Sequence, residues 1–277
     1  MRVISTQARR IPLPRRPSTA YTNLLRELAI TDYKVKYQGS LLSGYVWSFA
    51  KPLLLFGVLY FVFTRVVRFG AGVPDYALNL LLGIVLWTYF ADATNRAMAS
   101  IVERGDLIRK VYFPRAIIVI AASLSSLITL VLNFVVVAVF LIAAGISLRW
   151  TAPLLVLLIL ELYALTLGCS FLLAALYVRF RDFRHIWELG LQLLFYGSPI
   201  IYPMSFVPAR WQGLLALNPI AQIVQDARSV LISPSTLTAM DIIHSPLALV
   251  PYAIPLVVLV AGYIYFDHAA AEFAEQI

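Results

Sequence analysis

Six long apolar runs constrain this chain more than any other feature. They extend from Tyr45 to Val67, Tyr76 to Ser100, Ala116 to Leu148, Ala152 to Val178, Ile186 to Ile201 and Leu247 to Phe266. A bilayer core of about 30 Å needs roughly 20 helical residues, each adding about 1.5 Å. Unpaired peptide groups are so costly in lipid that only helices and closed barrels cross it, and runs of this length predict helices. The expected fold is therefore an all-α integral membrane protein with six transmembrane helices. The fifth run is the weakest, because Gly190, Gly197, Pro199 and Pro203 interrupt it. Composition agrees: at 61% hydrophobic and 13% charged, a soluble fold would have far too much apolar surface to hide.

Charge sets the expected orientation. The 22 Lys and Arg against 14 Asp and Glu would point to nucleic acid in a soluble domain, but in a chain this apolar they serve to fix topology. No nucleic-acid partner is expected. Fifteen of the basic residues fall before the first run, in the 2–3 loop and in the 4–5 loop, and five on the opposite side. Positive loops stay inside, so both termini are expected in the cytoplasm and the chain in the cytoplasmic membrane. Residues 1–18 read as a disordered basic tail, 19–44 as a cytoplasmic amphipathic segment, 45–267 as the membrane domain and 268–277 as a cytoplasmic tail. The basic N-terminus leads into Pro12, Pro14 and Pro17 rather than an apolar core, so no cleavable signal peptide is expected. The single cysteine, Cys169, lies in an apolar run and reads as a small packing residue.

Outside these runs three segments stand out. Tyr21, Leu24, Leu25 and Leu28 recur at helical spacing with Arg26 and Glu27 on the other face, predicting an N-terminal amphipathic helix that lies in the interface or packs on a soluble partner. The loop from Glu103 to Arg115 mixes both charge signs with Leu107, Ile108, Val111 and Tyr112. A docking helix on a soluble partner would need those apolar residues, and a plain loop remains equally open. Between the last two runs, Ile220, Ile223, Val224, Ala227, Val230 and Leu231 follow a helical face opened by Asn218 and Pro219, predicting short re-entrant or interfacial helices.

The tools of an enzyme are missing from the sequence. It has no Gly-Lys-Ser/Thr phosphate loop, no paired histidines at metal-ligand spacing and no framed Ser or Cys nucleophile. His185, His244 and His268 read as boundary residues, and no metal site is expected. Intramembrane polarity is sparse. Asp92 and Arg96 lie four apart on one face and can neutralise each other, whereas Glu161 reads as isolated. Phe49, Phe56, Tyr60 and Phe63 share one helix face, and Trp87, Phe90, Phe195, Tyr196 and Tyr202 could extend that track. Such rings can stack on sugar faces, or simply pack helices together.

Four ordered stretches carry a family resemblance: Tyr33-Lys-Val-Lys-Tyr-Gln-Gly-Ser40 with Gly44-Tyr-Val-Trp47 and Pro52; Leu107-Ile-Arg-Lys-Val-Tyr-Phe-Pro-Arg115; Arg179-Phe-Arg-Asp182; and Leu217-Asn-Pro219. Taken in order, they cover essentially residues 20–267. On these residues the chain resembles the permease subunits of ABC-2 type exporters, in the polysaccharide branch handling O-antigen, teichoic acid and cell-wall galactan. The resemblance implies a homodimer resting on two copies of a soluble ABC ATPase, with ATP and Mg2+ bound by that partner and no cofactor in this chain. It implies that the 2–3 loop is a coupling helix, with Arg104, Asp106, Leu107, Ile108, Arg109 and Lys110 facing the ATPase and Arg26 and Glu27 nearby. It also implies export of a polyprenyl-linked polysaccharide. The weighed alternatives are export of lipids or drugs on the same architecture, and a polytopic enzyme acting on lipid-linked sugars.

Overall fold

The computed structural model describes the backbone of residues 17–37, 44–68, 73–110, 113–147 and 149–276, and side chains there except those of 17–20, 32–37, 44–49, 274 and 275. Every described element is helical. The order is α1 (Pro17–Tyr37), α2 (Gly44–Phe61) running into a π-helical turn (Val62–Val66), α3 (Tyr76–Glu103), α4 (Gly105–Lys110), α5 (Ala116–Ala143), α6 (Leu154–Arg179), α7 (Phe183–Gly197), α8 (Ala209–Ala216), α9 (Pro219–Leu231), α10 (Ala239–Ile242), α11 (Val250–Ala270) and α12 (Phe273–Gln276). Among the described residues four segments are long and apolar enough to cross a membrane: α3, α5, α6, and α11 with the 3-10 turn that leads into it. The fifth expected run is the 15-residue α7, about 22 Å long and short of a full crossing. It stops at Gly197, where Ser198 and Pro199 leave the helix.

Helix α3 occupies the centre. Its first half is apolar on every side from Leu80 through Leu86, and a helix of that kind must be surrounded. It is packed by α2, α5, α6, α7 and α9. The outer helices show the opposite pattern. Val131, Val135 and Val139 recur every fourth residue on α5 and are exposed, as are Val156, Leu157 and Leu160 on α6 and Leu256, Val257 and Val260 on α11. Aliphatic rows so bare are stable against acyl chains and not against water.

Two glycines bring α6 and α11 together. A Cβ on Gly168 would lie 2.6 Å from the Leu259 Cα, and a Cβ on Gly262 would strike the Gly168 carbonyl oxygen. Helix association in lipid relies on such close approach, because hydrophobicity gives little drive there. Helix α5 ends at Ala143 rather than at 148, because Gly145 turns left-handed at φ 70°.

At one end of the bundle α9 folds back against the core. Asn218 caps it, its Oδ1 accepting from the Ile220 amide at 3.0 Å, with Pro219 in the first turn. Arg228 of α9 is buried and donates to the carbonyls of Asn79 (3.1 Å), Pro199 (2.8 Å) and Ile200 (2.6 Å) and to Gln225 Oε1 (2.8 Å). It thereby satisfies the backbone that the α7 break leaves open. Burial pulls its guanidinium down to about 10.

At the other end α1 lies along α5, with Leu24, Leu25 and Leu28 packed into a core that holds Ile108, Phe113, Phe266 and Phe273. Residues 1–16 of the expected tail lie outside the described residues, and Pro17 already opens α1. The expected tail over 268–277 instead continues α11 to Ala270 and adds α12, because Phe273 is apolar enough to be drawn against Phe266, with ring centroids 5.3 Å apart.

Candidate functional site

The α4 end carries the candidate docking face. Helix α3 breaks at Arg104 (φ −112°, ψ 27°), and α4 starts one residue later. Gly105 and Ile108 of α4 are buried and Leu107 is half-buried in the local core. Asp106, Arg109 and Lys110 are exposed. Of the residues expected to touch a partner, Ile108 therefore anchors the helix, and the charged trio forms its outer surface. Arg104 is half-buried, and burial lowers its guanidinium pKa. Arg26 and Glu27 are exposed on α1, opposite its packed leucines. A cleft of about 870 Å³ opens between Tyr21, Arg109, Lys110 and Arg115 on one side and Tyr263 and Asp267 of α11 on the other. Val111 and Tyr112 lie outside the described residues.

Within the bundle, Asp92 pairs with Arg96 as expected, Oδ2 to Nε at 3.7 Å, and also with Lys51 of α2 at 3.4 Å. Lys51 was not foreseen here, since 41 residues separate it from Asp92. Asp92, Asn95, Arg96, Arg104 and Arg184 line a polar cavity of about 370 Å³ between α3, α5 and α7.

The aromatic residues divide into two groups. Phe56 stacks on Tyr60 at 5.6 Å and meets Phe140 edge-on at 5.7 Å, while Tyr60 reaches Tyr76 at 6.5 Å. Trp87 touches Phe90 at 5.8 Å and Phe195 at 5.6 Å, and Phe195 meets Tyr196 at 5.3 Å. Tyr202 donates to the Tyr196 carbonyl at 3.2 Å. Phe56, Trp87 and Phe90 are buried within this one chain, and Phe63 and Tyr202 are half-buried. Among the described rings of this set, surface is broadly available only at Tyr60 and Tyr196, 39% and 61% exposed. Within this one chain Phe56, Trp87, Phe90 and Phe195 pack helices together and leave no continuous open face. The Phe49 side chain lies outside the described residues.

Glu161 is not isolated. It lies beside the Gln222 amide and in the field of Asp226. Asp226 Oδ2 accepts from Gln222 Nε2 at 2.8 Å and from the Tyr252 hydroxyl at 2.7 Å. Burial pushes the Asp226 carboxyl above its usual range, against the two hydrogen bonds that favour its ionised form. The sequence signal for this cluster was Gln222 and Asp226, four residues apart on a helix that also carries Ile220, Ile223, Val224 and Ala227.

A bundle with apolar flanks facing outward and a charged face at one end defines a multi-pass membrane protein. The chain belongs to the ABC-2 type transporter family, whose pattern it matches over residues 27–232. It is thus the membrane subunit of a transporter that works with a partner ATPase, and not an enzyme. It is 28% identical over 257 residues to the O-antigen export system permease protein RfbA of Klebsiella pneumoniae, covering 91% of this chain and 94% of that protein. It is also 29% identical over 259 residues to the protein of the same name from Myxococcus xanthus, covering 93% and 96%.

Proposed function

We propose that this chain is the permease subunit of an ATP-driven exporter that carries a lipid-linked polysaccharide of the O-antigen type across the cytoplasmic membrane. The observation that carries this reading is similarity over more than nine-tenths of the chain to permeases named for O-antigen export. In this reading α2 with its π-helical turn, and α7 with the segment after it, complete six membrane passages, both termini face the cytoplasm, and two copies of the chain enclose the pathway. Two ATPase copies bind ATP and Mg2+ and push on α4 through Asp106, Arg109 and Lys110, with Arg26 and Glu27 at the margin. Tyr60 and Tyr196 offer ring faces to passing sugars, and the Lys51, Asp92 and Arg96 cluster keeps the inner pathway polar.

The test is depletion of the protein in its own cell. Lipid-linked glycan should accumulate, inaccessible to a glycan-binding probe applied from outside, while surface polysaccharide falls. Unchanged surface polysaccharide, with a lipid or drug retained instead, overturns the reading.

A further inference from the structure

We propose that Glu161, Gln222 and Asp226 form a binding site for one hard, oxygen-seeking cation, which ties α9 to the membrane helices α6 and α11. Three elements converge there. Glu161 stands seven residues into α6, about 10 Å along it. Gln222 and Asp226 lie one turn apart on α9, and Tyr252 reaches in from α11. The hydrogen bonds within the cluster run through the Gln222 amide and Asp226 Oδ2: Gln222 Nε2 and the Tyr252 hydroxyl both donate to Asp226 Oδ2, and the Gln222 amide also bonds the Glu161 carboxylate. Three oxygens remain, Glu161 Oε1, Gln222 Oε1 and Asp226 Oδ1, each buried and without a hydrogen-bond partner. Gln222 is only 1% exposed, so its amide carbonyl is held inside with nothing to accept.

Among the described residues no cation acts on Glu161 or Asp226. The other acid in range is Asp241 of α10, which is engaged by Thr238 and has His244 close by. Arg228, two residues beyond Asp226, spends its donors on the carbonyls of Asn79, Pro199 and Ile200 and on Gln225. Two carboxylates gathered at a buried site without a counter-charge are strongly unfavourable. A proton would join only two of the three waiting oxygens, whereas a cation can take all of them. Two carboxylates and an amide carbonyl suit Ca2+ or Na+, which bind oxygen and complete their shells with water. Among the described residues no group of three or more His, Cys, Asp or Glu is placed to hold a metal ion, so the third ligand here is the Gln222 amide oxygen.

The permease purified with its ATPase partner in lipid nanodiscs, without nucleotide, is stripped with EDTA and titrated separately with CaCl2, NaCl and, as an ionic-strength control, choline chloride. Thermal unfolding is followed throughout. A saturable rise in midpoint with CaCl2 or NaCl but not choline supports the site, as does at least a tenfold loss of apparent affinity in Asp226→Asn and in Gln222→Leu. Gln222→Leu removes a ligand without changing charge, so it keeps the test alive if Asp226→Asn fails to fold. No salt-specific rise in the unmodified protein, or unaltered affinity in the variants that fold, overturns the proposal. A rise produced by acidification alone and reproduced by Glu161→Gln also overturns it, in favour of a shared proton.

Discussion

The Arg228 guanidinium donates to the Ile200 carbonyl at 2.6 Å, joining α9 to the backbone just past the break in α7. The same side chain also holds the Pro199 carbonyl, so one cation serves the two peptide groups left open past α7, and it adds a further bond to the Asn79 carbonyl inside α3. Orphaned buried carbonyls cost about 1–3 kcal/mol each. Arg228→Leu is therefore expected to lower stability by about 3 kcal/mol or more. Arg228→Lys, with fewer donors in a different geometry, should fall between. Thermal unfolding in detergent checks both, and an unaltered midpoint for Arg228→Leu would sink this account of the α9 end.

A second prediction concerns the glycine contact between α6 and α11. Gly262→Leu forces side-chain atoms against the Gly168 carbonyl, where there is no room for even one Cβ. It should abolish accumulation of folded permease in the membrane. Gly213→Ala, where nothing lies within 4 Å of the added carbon, is the control and should accumulate normally. Equal accumulation of the two variants would contradict the close approach.

Much of this architecture was legible in the sequence, for a simple reason. A run of apolar residues long enough to cross lipid has few other outcomes, so α3, α5, α6 and α11 were foreseen to within a few residues except at the end of α5. The Asn218 and Pro219 start signal gave the opening of α9 because capping is local chemistry. What was not legible depends on distant partners. Arg228 counted as one more loop cation, yet it is buried against residues 28, 29 and 149 positions away. Glu161 looked solitary because Asp226 and Tyr252 reach it only through the fold. The apolar residues of α4 suggested a contact surface, while the structure turns Ile108 inward; hydropathy alone cannot separate a partner's groove from the chain's own core.

For the docking face, the division of α4 into an anchored side and an exposed side makes two substitutions diverge. Asp106→Lys should leave the permease folded and weaken ATPase stimulation severalfold, because it reverses an exposed charge. Ile108→Asp places a carboxylate in the core with Phe266 and Phe273, at a cost of several kcal/mol. It should lower the unfolding midpoint before any question of coupling arises. Measuring midpoint and stimulated ATP turnover on both variants decides it; intact stimulation in Asp106→Lys would remove that residue from the interface.

For the aromatic residues, Tyr60→Ala should reduce glycan export with little change in stability, since the ring is partly open. Phe56→Ala removes a buried ring that packs on Phe140 and should cost about 3–5 kcal/mol. Export assayed at matched protein levels separates the two. Full export by Tyr60→Ala would take that ring out of the pathway.

The central claim is that this chain supplies a route while its partner supplies the force. The most direct measurement is export into proteoliposomes containing the permease alone, the ATPase alone, or both, with lipid-linked O-antigen-type glycan presented on the ATPase side. ATP-dependent appearance of glycan on the far side only when both proteins are present is the predicted result; glycan movement or nucleotide turnover by the permease alone would contradict it.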